Sequence, residues 1–208
     1  MTRTRRYGDS GQAFPIYITV VGSLLFLAFA YFAVGQAAAN RNGAQTAADA
    51  AALAAAQDRR DQLADAWVKE LLDPTKWEQI FEGNAEGLTP SCWRAHQLAA
   101  QNDAQIAGAG CVPDGPLGFT VEVETNKSVG ESIVPGTEQQ QANATATAVI
   151  ERLCTFELPG EGGDDEALPA LTCEDDREWD LDVDDPELLP KPEDLFDVHL
   201  AEPQANNE

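Results

Sequence analysis

The chain has 208 residues and a net charge of −23, with 36 acidic side chains against 13 basic ones. That balance excludes nucleic-acid binding, which needs Lys and Arg to neutralise phosphates. The length allows one ordinary domain with appendages, and the acidity is uneven: residues 160–208 hold 18 acidic and two basic residues, leaving −7 for residues 1–159.

Residues 1–13 form a short basic leader containing Arg3, Arg5 and Arg6. "FPIYITVVGSLLFLAFAYFAV" follows, from Phe14 to Val34, and no ionisable Asp, Glu, Lys, Arg or His occurs between Ser10 and Asn40. As a helix, residues 14–34 reach about 31 Å, the thickness of a hydrocarbon core. Tyr17 and Tyr31 stand near its two ends, as interface anchors do. The excess of Arg before the span predicts a single pass through the cell membrane, N-terminus cytoplasmic and C-terminus extracellular. The competing reading is a cleaved secretory signal with Ala37, Ala38 and Ala39 as its small-residue site, but such apolar cores run only about 7–15 residues.

The span runs directly into "GQAAANRNGAQTAADAAALAAA", Gly35 to Ala56. Alanine loses no side-chain entropy in a helix, so this segment predicts that the membrane helix continues through residues 35–72, with a flaw at Asn40–Gly43 as one alternative. Leu53, Ala56, Leu63, Trp67 and Leu71 recur at threes and fours, one apolar stripe. Pro74 ends the helix by disfavouring helical backbone at Asp73. Ala47, Ala48, Ala51, Ala52 and Ala55 are the packing candidates, either covering the domain's own sheet or letting a partner helix approach closely.

The Arg-rich leader "RRYGDSGQA", one apolar helix and then "NRNGAQTAADAAALAAA" resemble the N-terminal segment of Tad/Flp pilus-assembly proteins, the TadE/TadG-like group of the actinobacterial type. The resemblance covers residues 5–60, with "AADAAALAAA" its most specific piece. It implies a single-pass membrane protein with an exported domain, other pilus-assembly membrane proteins as partners beside the lipid bilayer, and no catalysis. Members cut by a prepilin peptidase carry Glu five residues after the cut. If Gly11–Gln12 were the cut, Ile16 would stand at that place, so a permanently anchored protein is expected.

Residues 73–159 read as a small exported α+β domain. Arg94 to Gly110 reads as a short helix stopped by Gly108 and Gly110. Phe119, Val121 and Val123 alternate with Thr120, Glu122 and Glu124, a half-buried strand. Asn143 to Leu158 reads as a second strand, and Ser132–Val134 as a short strand or loop between them. The fold class is therefore α+β: a membrane helix continuing into a long Ala-rich helix, a small antiparallel sheet packed on it, and a disordered acidic tail.

Cys92, Cys111, Cys154 and Cys173 suit a disulfide framework in an exported chain. Four cysteines allow three connectivities, and nearest-neighbour pairing is preferred. No C-x-x-C or paired-His spacing supports a metal site.

Residues 160–208 are dense in like charge and interrupted by Pro, which predicts a solvated tail. Trp179, Leu181, Leu188, Leu189, Leu195 and Phe196 are apolar anchors for a basic partner or for the domain itself. Asp180, Asp182 and Asp184 fit the first positions of a calcium loop. Asp185 stands where that loop needs Gly, and Lys191 where it needs Glu, so only weak, diffuse cation binding is left open. No nucleophile elbow, zinc-protease, phosphate-loop or dinucleotide motif occurs. The reading is a non-catalytic pilus-assembly component with no catalytic, cofactor or metal site. The alternative is a membrane-tethered extracellular binding module that uses its acidic tail.

Overall fold

A computed structural model describes residues 13–128, 140–158, 168–174, 177–179, 181–182, 185 and 188–202. Residues 1–12 of the basic leader, the Ser132–Val134 segment, Asp180, Asp184 and the last six residues lie outside them. The first element, α1, is one helix from Ala13 to Lys69, 57 residues long. Asn40–Gly43 does not interrupt it: Gly43 is helical, because the surrounding alanines offset the entropy that one Gly costs. A turn over residues 70–72 and a 3₁₀ turn at Pro74–Lys76 end it, followed by α2 (Trp77–Phe81) and α3 (Cys92–Gln101).

Four antiparallel strands form the main sheet in the order β1 (Ala104–Pro113), β2 (Gly118–Thr125), β3 (Asn143–Arg152) and β7 (Phe196–Leu200). A second sheet holds β4 (Cys154–Phe156), β5 (Leu171–Cys173) and β6 (Arg177–Trp179). A single turn, α4 (Pro192–Leu195), leads into β7. The fold is α+β, with α1 lying across the inner face of the main sheet.

Three expectations need correction. Ala104–Gly110 is not helical. The chain leaves α3 through Asn102 and Asp103, whose φ of 55° is left-handed, and returns as edge strand β1. Gly108 and Gly110, at φ of 52° and 87°, form a bulge between Ile106 and Cys111. The Glu122 carboxylate fills the bulge and accepts the Ala109 N–H at 2.8 Å. Asn143–Leu158 is two strands in two sheets, since Leu153 breaks the ladder and donates its N–H to Leu195 O.

The expectation of a solvated tail over 160–208 also fails for the described part of that stretch. Leu171, Leu195 and Phe196 are fully buried, and β7 pairs with β3 from Ala148↔Leu200 to Arg152↔Phe196. Burying these few apolar side chains outweighs the local preference of Asp and Pro for water.

Candidate functional site

Phe14 to Val34 lie almost entirely exposed along α1, with mean hydropathy 2.2 over the most apolar window and none of that window covered by the domain. Tyr31 is 83 % exposed and Phe14 71 %. A soluble fold would bury such a stripe; this one is offered to another medium. Residues 35–43 continue as helix, exposed apart from the half-buried Asn40, and full burial begins at Ala44.

From there the inner stripe is Ala44, Ala47, Ala48, Ala51, Ala52, Ala55 and Ala56, all at 0 % exposure. The spacing alternates near three and four, so one face meets β2 and β3. Methyl side chains let the helix lie close on the sheet. Further along, Leu63 and Trp67, with Leu71 in the turn that follows, continue the stripe where α3 and α2 take over as neighbours. The five alanines singled out from sequence thus cover the chain's own sheet. They are closed to a partner helix while the domain is folded, because each is already in contact on that face.

Polar clamps hold the same helix from its flanks. The Gln62 amide accepts the Thr89 N–H at 2.7 Å and donates to Ser91 Oγ at 3.2 Å, pinning the loop before α3. The Arg59 guanidinium sits 5.6 Å from the centre of the Phe119 ring, a cation–π contact. Burial pushes its pKa down from the usual value, with Asp58 acting in the opposite sense. Nothing in the helical period flags Gln62 or Arg59, since both fall at the edge of the apolar stripe.

An aromatic chain closes the far end of the domain. Trp67 lies 5.3 Å from Trp77, Trp77 lies 5.2 Å from Phe156, and Phe81 touches both Phe156 and Phe196. It joins α1, α2, β4 and β7 into one core. The Trp77 N–H donates to Glu70 O at 3.1 Å, whereas the buried Trp67 N–H has no acceptor.

All four cysteines are bonded, Cys92 to Cys111 and Cys154 to Cys173. The first bridge ties the start of α3 to the bulged end of β1; the second joins facing positions of β4 and β5. His96 is exposed on α3, and His199 pairs with Asp197 at 2.7 Å on the outer edge of β7. These residues converge on no shared cleft. Among the described residues no group of three or more His, Cys, Asp or Glu side chains is placed to hold a metal ion.

No curated protein and no solved structure matches the chain. Residues 11–58, which take in the exposed apolar span, the stalk and the alanine stripe laid on the sheet, match the Flp pilus-assembly TadE/G-like family.

Proposed function

We propose that the chain is a single-pass membrane component of Tad/Flp-type pilus assembly, non-catalytic, anchored by residues 14–34 with its folded domain outside the cell. One observation carries the reading. The same uninterrupted helix presents about 31 Å of uncovered apolar surface and then becomes the central support of the domain. The family match covers both parts of that helix. The Arg-rich leader favours a cytoplasmic N-terminus.

A rigid helix of this kind holds the domain at a fixed height. Residues 35–43 give a stalk of about 13 Å between the bilayer and the first buried turn. Contacts with other pilus-assembly membrane proteins then fall to the span, the stalk and the outer surfaces of the domain, since Ala47, Ala48, Ala51, Ala52 and Ala55 are occupied within it. The alternative of a tail-borne binding surface has less support, because Leu195 and Phe196 are used inside the core. The test is complementation of a deletion strain. A chain whose residues 14–34 are replaced by a cleavable secretory signal should release a folded domain and fail to restore surface pili by electron microscopy. Restoration to the level of the anchored chain would overturn the reading.

A further inference from the structure

The two disulfides are alike in sequence, each spanning 19 residues, but differ in setting. Cys154 and Cys173 are 1 % and 9 % exposed and belong to the main core. Cys92 and Cys111 are only half-buried, and their chain neighbours Trp93 and Val112 are 56 % and 42 % exposed. An apolar surface therefore flanks one bridge and not the other.

The first bridge also has a built-in polarity. Cys92 opens α3, a ten-residue helix whose N-cap is Ser91. Ser91 makes no side-chain cap: its buried hydroxyl accepts from Gln62 Nε2 instead. The first turn of α3 thus has no side-chain cap; its Arg94 N–H donates to Ser91 O at 3.0 Å, and the partial positive charge of the helix start faces the Cys92 end of the bridge. Negative charge developing on Cys92 Sγ is stabilised there. Cys111, on an edge strand, has no such support.

We propose that Cys92–Cys111 is a thiol–disulfide exchange site open to a dithiol oxidoreductase, and that Cys154–Cys173 is a closed structural bridge. An incoming thiolate attacks Cys111 Sγ, the bond between the two cysteine sulfurs breaks, and Cys92 leaves as a thiolate at the start of α3. The reagent's second thiol, as thiolate, then attacks the reagent sulfur in the mixed disulfide and releases Cys111, which takes a proton from water. Two electrons pass to the bridge and the dithiol becomes a disulfide; the reverse sequence installs the bridge. The order follows from leaving-group stability and access, whichever side of a membrane the domain occupies.

The experiment uses the full oxidised chain in detergent micelles. It is treated with graded dithiothreitol, alkylated with iodoacetamide and read cysteine by cysteine by mass spectrometry. Cys92 and Cys111 should become alkylated at least about tenfold faster than Cys154 and Cys173. Equal rates, or the reverse order, would overturn the proposal. Reduced thioredoxin should open the first bridge and leave the second; failure to open the first counts against the site. Reduced glutathione, a monothiol, should leave its adduct on Cys111, and an adduct mainly on Cys92 would refute the stated direction of attack.

Discussion

The ring of Phe196, from the last strand, lies 5.3 Å from the ring of Phe81, on the short helix after the long one. The two are far apart in the chain, and their contact makes the C-terminal part of the sequence a structural member of the domain. Phe196→Ala should cost about 3–5 kcal/mol, read as a lowered urea midpoint for the full chain in micelles. Asp197→Ala, one residue on and exposed, should leave the midpoint nearly unchanged. Equal behaviour of the two variants would mean that β7 is not docked.

The alanine stripe makes a second prediction of definite sign. Ala51→Leu or Ala55→Leu forces three extra carbons between α1 and the sheet. Each should destabilise the domain by about 1–3 kcal/mol, measured by thermal unfolding. Ala38→Leu on the exposed stalk should have little effect. If Ala51→Leu leaves stability intact and only weakens crosslinking to partners, the stripe faces a neighbour and not its own sheet.

Gly108 is held at φ 52°, and a Cβ there would fall 2.1 Å from the Glu122 carboxylate. Gly110, at φ 87°, has open space around the same position. Gly110→Ala should therefore cost about 1–2 kcal/mol for backbone strain alone, and Gly108→Ala more. Adding Glu122→Ala should recover part of the Gly108→Ala loss, and a double-mutant cycle of chemical denaturation midpoints reads the coupling. Strict additivity would show that the carboxylate does not fill the bulge.

The two core tryptophans should separate. Trp77→Phe removes one of two hydrogen bonds to Glu70 O, which still accepts the Asp73 N–H at 2.9 Å. Trp67→Phe removes a buried N–H that has no acceptor. Both lose ring area, so the difference isolates the hydrogen bond, about 1 kcal/mol more for Trp77. Denaturation of the two single variants in parallel measures it, and a larger loss at Trp67 would contradict the assigned partners.

Much of this architecture was legible in the residues. The uncharged run Phe14–Val34 and the helical period from Ala47 to Leu71 are strong local signals, and α1 follows both. The alternation at Phe119, Val121 and Val123 became β2. What failed was decided at long range. Ala104–Gly110 has no strand propensity of its own and is held by pairing with β2 across a bulge. The C-terminal part was masked by its charge, although Phe196, Val198 and Leu200 alternate with Asp197 and His199, a period-two signal for β7. The role of the alanines could not be read from composition, because a methyl face suits a sheet and a partner helix equally well.

The central claim is that one helix both crosses the membrane and supports the domain, with the leader on the opposite side. Two single-cysteine additions test it, Ser10→Cys in the leader and Gln57→Cys on the exposed face of the helix. With a membrane-impermeant maleimide on intact cells, Gln57→Cys should label at once and Ser10→Cys only after permeabilisation. Labelling of Ser10→Cys in intact cells with Gln57→Cys protected, or equal labelling of both, would contradict the account.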